Sequence, residues 1–175
     1  MSENYEGDLL AFRAEKDRFF GEHPHSPLTE EQRRAFRGLR YYAPDPALAL
    51  YVQPERFEEP EPVEMQTSTG ETATYLRWSR FNFEVDGEQA ELTLYRNPAT
   101  GDYFLPFQDA NAGGETYGAG RYLEPQELPQ GAVMADFNYA YNPYCAYNDA
   151  WSCPLPPPEN RLRVAIRAGE MSFEG

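Results

Sequence analysis

The sequence predicts a mainly β fold, an antiparallel β-sandwich or partly closed barrel with a short N-terminal helical segment. Three observations carry this. Short alternating apolar–polar runs follow one another from residue 63 onward, separated by turn residues and not by helices. Sixteen Pro and 13 Gly force frequent turns. Aromatic residues make up 15% of the chain against a hydrophobic total of 41%, so Tyr and Phe carry much of the core. The 175 residues read as one domain, with residues 1–40 helical and residues 41–175 a β-rich body.

In chain order, Asp8 to Phe20 is predicted as a helix, with Leu9, Phe12, Lys16, Phe19 and Phe20 along one stripe. Gly21 and the His23-Pro24-His25-Ser26-Pro27 segment end it. Thr29 and Gln32 have the spacing of a capping box, which starts a second short helix, and Gly38 suits its stop. Residues 41–62 are Pro-rich and extended, with a strand at 48–52. Leu76 and Trp78 alternate with Tyr75 and Arg77; Phe81, Phe83 and Val85 alternate with Asn82, Glu84 and Asp86. Asp86-Gly87 is a hairpin signal and places a return strand at 89–96. Asn97 to Gly101 turns the chain into a strand at 103–107. Further strands are predicted at 116–123, 132–139 and 162–166. The run Cys153-Pro154-Leu155-Pro156-Pro157-Pro158 is extended and polyproline-like.

Charge limits the partners. The formal net charge is −14. Such a surface repels phosphate backbones and argues against nucleic-acid binding. Lys16 is the sole lysine and Ile166 the sole isoleucine. With the acidity, this composition fits a salt-adapted, GC-rich prokaryote; an ordinary acidic mesophilic protein is the alternative. No apolar run approaches the ~20 residues of a membrane span, and the acidic N-terminus has no signal-peptide core. A cytoplasmic location with no membrane partner is expected.

The last third holds the distinctive chemistry. Gly114-Glu115-Thr116-Tyr117-Gly118-Ala119-Gly120-Arg121-Tyr122-Leu123 is followed by Asp136-Phe137-Asn138 and by Ala140-Tyr141-Asn142-Pro143. Cys145-Ala146, the run from Cys153 to Leu162, and Ala165 to Glu170 complete the pattern. Over residues 109–170 this closely resembles a prokaryotic family known as domain of unknown function 1684. Upstream, Arg34 to Tyr42 is similar to the family's opening segment. The resemblance implies a short form without the extra N-terminal β-domain of longer members. It implies no activity. Members commonly read Pro-Pro-Cys-Ala where this chain has Pro143-Tyr144-Cys145-Ala146.

Glu115, Tyr117, Arg121, Asp136, Asn138, Asn142, Glu159 and Asn160 form the candidate polar cluster. Arg121 offers a fork for a carboxylate or phosphate, and Asp136 or Glu159 a general base. The competing reading is a buried network holding a proline-rich loop, because proline supplies no N–H and side chains must satisfy the orphaned groups. Arg121, Asp136 and Glu159 are expected in one neighbourhood. Cys145 and Cys153 are open to four readings: a catalytic thiolate at Cys145, half a zinc site, a loop-pinning disulfide, or two reduced structural thiols. Their spacing is too long for a usual zinc knuckle, and no metal or cofactor is expected. Gly118-Ala119-Gly120 is too short for a nucleotide loop and reads as a close-packing site. Arg161, Arg163 and Arg167 share a face that suits salt bridging. His23 and His25 read as loop residues. Two functions remain open: a domain binding or acting on a small polar or anionic ligand under the Pro-rich loop, and a structural or interaction module in which the cluster is scaffolding.

Overall fold

The computed structural model describes residues 4–173. Helices α1 (Tyr5–Glu22) and α2 (Glu30–Ala35) precede β1 (Ala49–Val52), β2 (Glu55–Gln66), β3 (Thr72–Val85), β4 (Glu88–Arg96), β5 (Tyr103–Phe107), β6 (Arg121–Leu123), β7 (Gln126–Glu127) and β8 (Val133–Asp136). Two antiparallel sheets result, one ordered β2-β3-β4-β5-β6 and the other β1-β8-β7, and they do not close into a barrel.

The central hairpin forms where the sequence places it. Val85 pairs with Glu88 across Asp86 and Gly87, whose φ angles of 51° and 84° are those a tight primed turn requires. The alternation then points Phe81, Phe83 and Val85 inward, onto Leu92 and Leu94 of β4, Leu105 and Phe107 of β5, and Val133 and Ala135 of β8. Strand β2 contains Pro60 and Pro62, which a central strand could not accept. It lies at the sheet edge, and its pairing with β3 shifts register between Arg56 and Glu61.

The helices pack outside the sheets. At α2 both hydrogen bonds of the Thr29–Gln32 capping box form. The helix stops at Ala35, three residues before Gly38, whose φ of 121° instead serves the following extended link. Helix α1 runs longer than expected and buries a different stripe. Leu9, Arg13 and Phe20 are buried, whereas Phe12 is 46% exposed and only edges onto Tyr139. Lys16 lies along the buried side and ion-pairs with Glu170.

Three expected strands are shortened or replaced. Residues 116–120 make a turn, with Gly120 N–H donating to the Tyr117 carbonyl, so β6 starts only at Arg121. Strand β8 ends at Asp136 because that side chain accepts from Asn138 N–H and starts a 3-10 turn over Phe137–Tyr139. Residues 162–166 bend at Arg163 and Val164 and bury Val164 and Ile166 alternately, and side chains and the Gln108–Ala110 backbone take the place of a strand partner.

Candidate functional site

The polar cluster resolves into separate centres. Arg121 is 1% exposed, and its guanidinium donates to the carbonyls of Ile166 (2.8 Å), Ala168 (2.5 Å) and Glu170 (3.0 Å). Asp109 stands 3.7 Å away and accepts from Ile166 N–H and Thr116 Oγ1. Burial lowers the Arg121 pKa, and the Asp109 charge opposes that shift. Arg121 is therefore spent on the backbone of residues 166–170.

Glu159 sits elsewhere. It takes the Arg77 fork at 2.9–3.2 Å and the Tyr95 hydroxyl, with its side chain 34% exposed. Burial acts to raise its pKa, but the Arg77 and Tyr95 bonds outweigh burial and leave it below the ordinary carboxylate range. Asp136 accepts from Tyr5 Oη and Asn138, at the end of β8. Arg121, Asp136 and Glu159 thus share no partner, and no hydrogen bond or ion pair joins them into the expected cluster. Each is drawn to a different stretch of chain that needs a donor or a charge.

The asparagines are backbone clamps. Asn160 is fully buried; it accepts from Thr93 N–H and donates to the Thr93 and Pro106 carbonyls, all at 2.8 Å. It bridges β4 and β5 where their own ladder holds only two residue pairs. Asn138 holds both backbone groups of Asp45. Asn142 donates to the Met171 carbonyl, and its N–H to Glu170. Glu115 is exposed and accepts from Tyr42 and Asn111. The sequence reading missed Glu170, which is 2% exposed and joins Lys16, Asn142 and Tyr147. The signal was available: the single lysine of an acidic chain sits on an apolar helix stripe and calls for a buried carboxylate.

The cysteines are adjacent and unbridged. Cys145 N–H donates to Cys153 Sγ at 3.2 Å, and Tyr117 Oη lies 3.7 Å from Cys145 Sγ. Burial pushes the Cys153 thiol up to about 11 and the Tyr117 phenol up to about 12. A thiol held protonated is a poor nucleophile and metal ligand. Among the described residues no group of three metal-ligating side chains assembles.

The open chemistry lies beside these clamps. A groove of about 660 Å³ is lined by Tyr75, Phe104, Tyr122 and Tyr141, with Asp102 and Glu124 as its charged side chains. The rings form a continuous run. Tyr75 stacks on Phe104 (4.9 Å), Tyr122 meets Phe104 edge-on (4.8 Å), and Tyr141 meets Tyr122 edge-on (5.8 Å). The Tyr141 hydroxyl donates to Glu124, and burial together with that carboxylate holds the phenol protonated. Pro154 forms one wall, and beyond it a 330 Å³ extension runs past Pro143, Tyr144 and Trp151. The Tyr122 hydroxyl donates to the Pro154 carbonyl and holds this wall against the groove. A Cβ at Gly120 (φ 98°) would stand 2.6 Å from the Phe107 carbonyl oxygen and 2.8 Å from Pro156 Cγ, so glycine alone permits this close approach.

Residues 34–171 match a family model described as a protein of unknown function, DUF1684. The chain belongs to the DUF1684 family. It is similar over 97% of its length to an uncharacterised protein of Haloarcula marismortui solved by solution NMR, at 43% identity, 95% coverage of that chain and a TM-score of 0.72. No curated protein matches. The DUF1684 segment therefore contains the Arg121, Asn138, Asn142 and Asn160 clamps and every residue lining the groove.

Proposed function

We propose that this chain is a binding domain whose aromatic groove, beside the Pro-rich loop, takes a small polar ligand bearing a positive charge. One observation carries the reading: Glu124, held by Tyr141, stands at the end of a run of four aromatic rings. Ring faces and a carboxylate attract an organic ammonium group, by roughly 0.5–2 kcal/mol per ring contact. The groove's charged side chains are acidic, which disfavours the anionic ligand that the Arg121 fork led us to expect. The motif's polar residues favour scaffolding over chemistry, since Arg121, Asn138, Asn142 and Asn160 each spend their donors on main chain. The net charge and the likeness to a protein of a halophile support salt adaptation.

Choline is a suitable probe. Titration followed by Trp151 fluorescence and amide NMR shifts should saturate, with shifts centred on Tyr122, Glu124 and Tyr141. Glu124 is exposed, so Glu124→Gln leaves the fold intact and should weaken choline by several-fold. Absence of any saturable shift into the tens of millimolar refutes the cationic reading.

A further inference from the structure

A second cavity, of about 350 Å³, opens where the two sheets meet and adjoins the aromatic groove at Tyr103, which lines both. Its lining includes Gln53, Arg56, Trp78, Ser79, Arg96 and Glu127. A β-bulge makes it. Arg77 pairs with Tyr95 and Ser79 with Leu94, so Trp78 is the extra residue of β3. Bulges re-aim side chains, and here the indole carries two guanidiniums, Arg56 at 4.2 Å and Arg96 at 4.5 Å from the ring centroid. Arg96 also lies 4.1 Å over Tyr103. Two rings and the Gly101 carbonyl (2.8 Å) fix its orientation.

Two polar groups in this wall lack a partner. Ser79 is 3% exposed with its Oγ unbonded, and Arg96 Nε is buried and unbonded although both its terminal nitrogens are engaged. Buried polar groups are nearly always paired, so an orphan calls for a ligand or water. A guanidinium Nε–H can only donate, and a serine hydroxyl can donate, so an acceptor satisfies both. Glu127 neutralises Arg96. Arg56 is exposed and, among the described residues, pairs with no carboxylate, which leaves one net positive charge at the cavity.

We infer that this inter-sheet cavity is an oxyanion site, in which Arg56, Arg96 Nε–H and the Ser79 hydroxyl receive the phosphate or carboxylate head of a small molecule. In a chain of net charge −14, two arginines stacked on one indole form a local exception to the prevailing field. Of the rings in the groove's aromatic run, Tyr75, Phe104, Tyr122 and Tyr141, none lines this site; Tyr103 alone lines both.

The two tryptophans separate the sites, since Trp78 lies in this cavity and Trp151 beside the groove. In a Trp151→Phe chain, Trp78 fluorescence should respond saturably to inorganic phosphate or to citrate, at constant ionic strength held with potassium chloride. The tighter of the two anions tells phosphoryl from carboxylate chemistry. Arg56→Gln, at an exposed position, should weaken that response tenfold or more while leaving the melting temperature in buffer unchanged. Ser79→Ala should melt no lower than the parent in buffer and lose the thermal shift that the anion gives the parent. No saturable response to either anion, or an equal response from the Arg56→Gln chain, overturns the inference. Choline binding would be untouched by either result.

Discussion

Arg121→Met and Glu159→Gln, made side by side, test whether the DUF1684 motif is scaffold. Methionine keeps most of the apolar volume of Arg121, including its place beside the Phe107 ring at 5.1 Å, and deletes the fork. Three buried carbonyls then lose their donor and Asp109 loses its cation. An orphaned buried polar group costs about 1–3 kcal/mol, and breaking a buried pair about 3–5 kcal/mol. These overlap, because the same desolvation is counted in both, so the expected loss is about 4–6 kcal/mol. That is a large part of the ~5–15 kcal/mol stability of a domain this size. With a urea slope of about 2 kcal/mol/M, the midpoint should fall by about 2–3 M. Glu159→Gln keeps an acceptor for Tyr95 and loses only a half-exposed ion pair with Arg77, screened by solvent, so about 0–1 kcal/mol is expected. The folded-state pKa of Glu159 is depressed, so its contribution is present above the ordinary value of 4.5 and is lost as pH falls below it. The gap between the parent and the Glu159→Gln chain should therefore be widest at neutral pH and should close as pH falls. Urea titrations by far-UV circular dichroism at pH 7 and pH 4 measure all of this. A loss under 1 kcal/mol for Arg121→Met, or equal losses for both, would refute the scaffold argument.

Two further outcomes follow from burial and charge. The Cys153 thiol, raised to about 11, should resist iodoacetamide at pH 8 in the folded chain and react once unfolded in urea, as read by peptide mass spectrometry. By the same shift, Cys153 stabilises the fold fully below its ordinary value of 9 and loses that contribution as pH rises towards 11. With 29 acidic and 15 basic side chains, the chain should melt higher in molar potassium chloride than in dilute buffer, because salt screens carboxylate repulsion; identical melting temperatures would remove the case for salt adaptation.

What the sequence conveys is local, and the parts that were legible are those with local causes. The Thr29–Gln32 box and the Asp86-Gly87 turn are complete within four residues, and both form as read. The inward parity of Phe81, Phe83 and Val85 is equally a property of one strand. The centres around Arg121, Asn160 and Glu159 have no such local cause. Glu159 and Asn160 are neighbours in the chain, yet Glu159 faces Arg77 near the surface while Asn160 fills a gap between β4 and β5. Polarity alone cannot tell these roles apart; the distinction lies in which distant backbone group lacks a partner.

Residues 162–166 show the same limit from the other side. Their alternation is real, and Val164 and Ile166 point inward as a strand would have them. A strand is defined by its ladder, however, and here the ladder is supplied by Gln108, the Asp109 carboxylate and the Arg121 fork. A proline-rich chain that cannot donate its own hydrogen bonds must import donors and acceptors from side chains. It follows that density of polar residues in such a motif measures how irregular the backbone is, before it measures how much chemistry is done there. Side chains left over from that demand are the ones free to meet a ligand. By that criterion the candidates move from Arg121, Asp136 and Glu159 to Glu124 beside the tyrosines, and to Arg56, Ser79 and the unspent Nε–H of Arg96.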